Sequence, residues 1–183
     1  ISGKPGPVWL DVPLDVQSKR VETKKLNKLK RKKISHKKNK KINLSLIKNH
    51  INKSKKPIFI IGNGIHLSKS KKNFVKLLSH TKIPVVSSWN ASDIISTNSK
   101  LYIGRAGIFG ERAANLAIEH SDLIIILGSR LSIPQTGYNR KNFSSKSKKI
   151  IIDIDINEIK SKDFKNIIYK LNIDLKIFLQ NAT

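Results

Sequence analysis

The chain has 183 residues, with 37 Lys and Arg against 12 Asp and Glu for a formal charge of +25, 38% hydrophobic residues, and no Cys or Met. That suits one domain of ordinary size plus some extra chain. Without Cys there is no disulfide framework and no thiolate metal site, which fits a cytoplasmic protein; no run is apolar and long enough to span a membrane, and no signal peptide is visible.

The sequence opens at Ile1 without Met and reads as an internal piece of something longer. Gly3, Pro5, Gly6 and Pro7 predict a turn, Val8 to Val12 a short strand, and Pro13 its stop. A lone strand cannot stand by itself, so this one is expected to close a preceding domain.

Ser18 to Lys56 reads as a linker. It holds 17 of the basic residues and one acid, Glu22, so the charge excess is concentrated there. One explanation is codon bias, since Lys, Ile and Asn are all abundant. The other is a basic arm for nucleic acid, although such an arm usually interleaves aromatics or Arg with its Lys. Within the linker, Leu44, Ile47 and Ile51 share one helical face. A short amphipathic helix over Asn43 to Asn52, capped by Asn43, is predicted to dock on the following domain.

Pro57 to Ile61 is a buried strand running into Gly62-Asn63-Gly64. This has the form of a first βα turn, without a full glycine fingerprint because position 67 is Leu. It reads either as a nucleotide-binding turn or simply as a tight turn. Ser70 to His80 is a helix with Phe74, Leu77 and Leu78 inward. Ile83 to Ser87 is a second strand, followed by a polar loop from Ser88 to Asp93.

The central stretch is Tyr102 to Thr136. Gly104, Gly107 and Gly110 precede a helix beginning near Glu111, a pattern that suits a phosphate at free N–H groups. Asp122 to Leu127 is a nearly unbroken apolar strand ending at Gly128-Ser129-Arg130. Glu111 and His120 read as favourable charges at a helix start and a helix end. Lys149 to Asp155 is another buried strand. Asp153 either accepts from a ribose hydroxyl or caps the turn Ile156 to Ile159. Ile167 to Tyr169 is a short strand, and Asp174 caps a helix from Leu175. Alternating strands and helices predict an α/β fold, a doubly wound parallel sheet with right-handed crossovers. An NAD-dependent enzyme would want an acidic residue after the second strand, where Ser87-Ser88-Trp89 stands.

These motifs resemble the thiamine-diphosphate-dependent enzymes of the acetolactate synthase group. The pieces are G-K-P-G-P-V-W-L-D-V-P-L-D-V-Q at 3–17, P-I-F-I-I-G-N-G-I at 57–65, I-P-V-V-S-S-W at 83–89, G-I-F-G-E-R-A-A-N-L-A-I-E-H-S-D-L at 107–123, L-G-S-R-L at 127–131, Q-T-G at 135–137 and I-I-D-I-D-I-N-E-I at 151–159. The resemblance implies three segments: the end of a pyrimidine-binding domain (1–17), a Lys-rich linker (18–56) and a central domain (57–183). It also implies FAD contacts at Gly62, Gly64, Ser88, Gly107, Ile108, Phe109, Gly110, Gly128, Ser129, Arg130, Asp153, Ile154, Glu158 and Asp174. Arg130 suits a diphosphate, which a guanidinium grips with two prongs, or else a surface salt bridge. Leu131 to Pro134 replaces a charged cluster usual in these synthases, and Phe109 stands where they often have His. The thiamine diphosphate and Mg2+ sites are expected outside 1–183, so no residue here is catalytic. The implied whole enzyme acts on a 2-keto acid as a homodimer or homotetramer, in branched-chain amino acid or surface-sugar biosynthesis.

Overall fold

The computed structural model describes residues 6–26, 42–160 and 163–183. The chain divides into two units, Ile1–Asn39 and Lys40–Thr183. In the first, Pro13 leads into a one-turn helix, α1 (Leu14–Gln17), and Thr23–Lys25 forms a 3-10 turn. The strand expected at Val8 to Val12 is not formed, and Val8 and Trp9 are each 92% exposed. The physical reason is the one that makes a lone strand untenable: no described residue of this unit offers a ladder to pair with. Gly3 and Pro5 of the expected turn, and the Lys-rich stretch 27–41, lie outside the described residues.

The second unit runs α2 (Leu44–Lys53), β1 (Pro57–Ile61), α3 (Gly64–Leu67), α4 (Lys71–Thr81), β2 (Val85–Ser87), β3 (Tyr102–Arg105), α5 (Arg112–His120), β4 (Leu123–Leu127), α6 (Ile133–Thr136), β5 (Lys148–Asp153), α7 (Ile156–Lys160), β6 (Ile167–Asn172) and α8 (Leu175–Ala182). The six strands form one parallel sheet in the order β3-β2-β1-β4-β5-β6. The chain winds outward from β1 to β3, then returns to β4 on the other side of β1. Carboxyl ends of all the strands therefore share one edge, and the winding reverses between β1 and β4.

Strand side chains alternate between two cores, as the period of two requires. Phe59, Ile61, Ile125, Leu127, Ile150 and Ile152 face α2, α4 and α8 through Ile47, Phe74, Leu78, Phe178 and Leu179. Ile58, Ile60, Ile124, Ile126 and Ile151 pack with Ala114 and Ile118 of α5 and Ile159 of α7. Covering on both faces explains why β1 and β4 read as unbroken apolar runs.

Asn43 caps α2 as expected, its Oδ1 accepting the Leu46 N–H at 2.9 Å. Ile47 is buried in the first core, with Leu44 and Ile51 packed against it. The helix expected within the linker is thus part of the α/β unit. Strand β3 was not foreseen: a Gly and an Arg among its four residues hide the strand pattern, and it pairs on one side only, with β2. β2 begins at Val85 rather than Ile83, and β6 extends to Asn172 rather than Tyr169.

Candidate functional site

Every residue expected at the site follows or ends a strand on the carboxyl edge. Gly62 and Gly64 follow β1, Ser88 follows β2, and Gly107 to Gly110 follow β3. Gly128, Ser129 and Arg130 follow β4, and Asp153 ends β5. Ile154 and Glu158 come next along the chain, and Asp174 follows β6.

At the reversal between β1 and β4 the two turns pack backbone to backbone. The Gly64 N–H donates to the Gly128 carbonyl at 3.0 Å, and the Gly62 N–H to Leu127 at 3.0 Å. A Cβ on Gly62 would lie 2.4 Å from the Gly128 oxygen, and one on Gly64 2.7 Å from the Gly128 Cα. This close approach alone requires both glycines, so the tight-turn reading accounts for them. The Ser88 N–H closes back on Ile61 at 2.8 Å.

The glycine loop after β3 is folded on itself. Asn115 grips Gly107 from both sides, its Oδ1 accepting the Gly107 N–H and its Nδ2 donating to the Gly107 carbonyl, both at 2.9 Å. The Ile108 N–H donates to Pro134, the Gly110 N–H to Gly107 and the Glu111 N–H to Arg105. The loop amides of Gly107, Ile108, Gly110 and Glu111 are thus paired within the fold, so the amides expected for a phosphate narrow to those of the first turn of α5, Arg112 to Ala114. Gly107 has φ of +110°, and a Cβ there would meet the Pro134 oxygen at 2.5 Å. Asn115 was missed in the sequence because its partner is a backbone eight residues away, which leaves no side-chain motif.

Glu111 lies at the helix start as expected, but its carboxylate turns to Arg105. It accepts from the Arg105 backbone N–H and from guanidinium Nε and an Nη at 3.0 and 2.7 Å. The Arg105 side chain, with its backbone N–H, holds the Glu111 carboxyl below the usual range. His120 ends α5, as expected.

Arg130 carries the exposed cation of the β4 loop, its side chain 73% accessible. Its Nε contacts Glu158 Oε1 at 2.9 Å. The surface salt bridge that was weighed against a diphosphate role is therefore present, between two residues both expected at the site. Asp153 is buried, and its Oδ1 accepts the Asp155 N–H at 2.9 Å. The turn into α7 is capped instead by Asp155, whose Oδ1 accepts from Asn157, so the cap expected of Asp153 belongs two residues on. Asp174 caps α8 through the Lys176 N–H at 2.7 Å.

The loops after β2 and β3 carry an exposed apolar step. Phe109 and Ile108 are 70% and 71% exposed, and the Phe109 ring meets Trp89 from the β2 loop with centroids 5.4 Å apart. A second residue outside the expected set is Gln135, whose Nε2 is buried with no hydrogen-bond partner among the described residues. Gln135 belongs to the segment that meets Gly107. Its signal in the sequence is the Q-T-G piece at 135–137. A cluster of three or more His, Cys, Asp or Glu able to hold a metal is absent among the described residues. There, too, no helix is long and apolar enough to cross a membrane.

Comparison with known proteins agrees with this architecture. Residues 44–181 match the family model described as thiamine pyrophosphate enzyme, central domain. A probable acetolactate synthase large subunit of Methanococcus aeolicus is 34% identical over 86% of this chain and 27% of its own length. Acetolactate synthase 2, chloroplastic, of Nicotiana tabacum is 31% identical over 98% of this chain and 27% of its own length. Acetolactate synthase, chloroplastic, of Arabidopsis thaliana is 34% identical over 86% and 24% respectively. The chain thus spans about a quarter of the length of these relatives. The comparisons give no support to a nucleic-acid module. With its parallel sheet reversing between β1 and β4 and its family match from α2 into α8, the chain belongs to the thiamine pyrophosphate enzyme central-domain family, in proteins like acetolactate synthase.

Proposed function

We propose that this chain is the architectural and nucleotide-holding middle of a thiamine-diphosphate enzyme acting on 2-keto acids. In the proposed layout, 1–17 ends a pyrimidine-binding domain, the Lys-rich segment is a linker, and the central domain begins with α2. The whole enzyme, a homodimer or homotetramer, forms or breaks a carbon–carbon bond next to a keto group. Thiamine diphosphate with Mg2+ supplies that chemistry from domains outside this chain, and no residue here is catalytic. Branched-chain amino acid or surface-sugar synthesis is the proposed setting, and the cytoplasm the proposed compartment.

FAD is the nucleotide proposed for the carboxyl edge. The observation that carries this reading is the exposed Arg130 guanidinium beside the strand reversal, where an open α/β sheet takes its ligand. A guanidinium matches a diphosphate in two-pronged fashion. The Trp89–Phe109 step offers a flat ring an apolar face. The orphaned Gln135 Nε2 fits an acceptor reaching the seam of the glycine loop, since a buried unpaired donor costs about 1–3 kcal/mol. These residues bind and orient; none is assigned a redox step. With the loop amides of Gly107, Ile108, Gly110 and Glu111 paired, the phosphate grip is proposed for Arg130, with the first-turn amides of α5 as the backbone alternative.

The test is to incubate the purified chain with FAD, remove excess by gel filtration, and record the visible spectrum. Retained flavin absorbance that falls in Arg130→Gln supports the site. No retained flavin, or retention unchanged in that variant, removes it. Turnover of pyruvate by residues 1–183 alone would overturn the assignment of catalysis to other domains.

A further inference from the structure

We propose that Glu158 is an internal competitor for the anion position of Arg130, so that this pair sets how tightly the carboxyl edge holds a diphosphate-bearing nucleotide. The inference rests on the nucleotide reading of that edge and adds its regulation.

The two partners are anchored differently. Arg130 sits between Ser129 and Leu131, which are 2% and 1% exposed, and Leu131 adopts a left-handed φ of +49° inside the second core. The backbone beneath Arg130 is therefore fixed, while its side chain stands 73% accessible. It is a cationic arm on a rigid base. Glu158 is only 16% accessible. Its short helix is held by the Asp155 cap at 2.9 Å, by the Ile159 N–H on the Asp155 carbonyl at 3.2 Å, and by Ile159 buried in the core. When the pair opens, the guanidinium is the group free to swing, and the carboxylate stays.

Carboxylate and phosphate both present two oxygens to a guanidinium fork. A nucleotide diphosphate gripped by the fork at the strand reversal therefore competes with Glu158 for the Nε–H that its Oε1 holds. Another arginine of this edge is arranged differently. Arg105 meets Glu111 through its side chain and its backbone N–H, which closes the glycine loop. That pair is structural. The Arg130–Glu158 pair instead links the β4 loop to α7 from a largely exposed arm. With so exposed an arginine arm the pair is worth a small factor, about two- to fivefold in a competing equilibrium.

The test measures ADP binding to the whole chain by titration calorimetry, for the wild type, Glu158→Gln, Arg130→Gln and the double variant. The expected result is about two- to fivefold tighter ADP in Glu158→Gln. Weaker ADP is expected in Arg130→Gln, with no gain from adding Glu158→Gln to it. Three results would overturn the proposal. Weaker binding in Glu158→Gln would make that residue a ligand contact. A gain that persists without Arg130 would reduce the effect to general charge. Wild-type binding unchanged in Arg130→Gln would leave a nucleotide site standing but remove its competitor. If none of the four proteins binds ADP at millimolar concentration, the nucleotide reading itself falls, and the proposal with it.

Discussion

The two edges of the sheet use polar residues in opposite ways. On the amino edge they turn inward. Lys149, with no exposed surface, donates Nζ hydrogens to the carbonyls of Ser144, Ser147 and Lys165 at 2.7, 2.9 and 3.1 Å. Ser121, Ser144 and Ser147 bond one another and the carbonyls of Ile118 and Ser121. Asp122 accepts from the Ser54 hydroxyl and from the N–H groups of Lys55 and Lys56, fixing the entry to β1. On the carboxyl edge the Arg130 side chain stands largely in solvent, as do the apolar Phe109 and Ile108. The lesson is that residue type alone does not mark a site: a buried lysine can be a rivet, and an exposed arginine a hand. What separates them is whether the fold has already provided every partner.

The largest expected effect tests the amino edge. Lys149→Met leaves three carbonyls without their donor and should cost about 3 kcal/mol in urea unfolding. Burial pushes the Lys149 ammonium down to about 8. Between about pH 8 and the ordinary lysine value near 10.5 the unfolded chain then binds more protons than the folded one. Wild-type stability should therefore rise with pH across that window relative to Lys149→Met, and the gap should be flat below it. A pH-independent difference would show that the three carbonyls hold the proton against burial.

Next comes Gly107→Ala, which places a Cβ 2.5 Å from the Pro134 oxygen at a positive φ. A loss of about 2 kcal/mol in the urea midpoint is expected. An unchanged midpoint would mean that the loop yields readily, and that the carboxyl edge is softer than its hydrogen bonds imply. Asp122→Ala should cost about 1–2 kcal/mol. Burial alone would raise the Asp122 carboxyl, yet the bonds from Ser54, Lys55 and Lys56 together hold it below its usual value. Its contribution is present above the ordinary carboxylate value and is lost as pH falls through the lowered one. An acid-unfolding curve should lose that component in the variant. The smallest effect belongs to Glu111→Gln on the exposed Arg105 pair. A slight drop in melting temperature at low salt should shrink in 1 M NaCl.

Much of this molecule was legible in its sequence, for identifiable reasons. β1 and β4 are apolar throughout because both faces are covered, and such runs are readable without partners. Phe74, Leu77 and Leu78 fell on the inner face of α4 because helical periodicity is local. The Asn43 and Asp174 caps were readable because each bond spans two or three residues. What escaped depended on distant neighbours. β3 is a strand by virtue of β2 beside it, and Val8 to Val12 is not a strand for want of such a neighbour. The chain order of the site loops was visible. That their amides would already be paired was not, because Pro134 and Asn115 reach them only after folding.

Helix α5 is tied at both ends. Near its start Asn115 clasps the glycine loop; near its finish the Ile118 carbonyl receives the hydroxyls of Ser121 and Ser144. Nine residues at 1.5 Å each make a rod of roughly 13 Å. It is a tie-beam lying on one face of the sheet and running from its carboxyl edge to its amino edge. A ligand that pried the glycine loop outward would have to pull this beam with it or break the Asn115 clasp. The clasp, at two hydrogen bonds, is the weaker joint. Asn115 is thus the hinge pin of the carboxyl edge, and the serine-and-lysine knot at the far end is the wall that the pin is braced against.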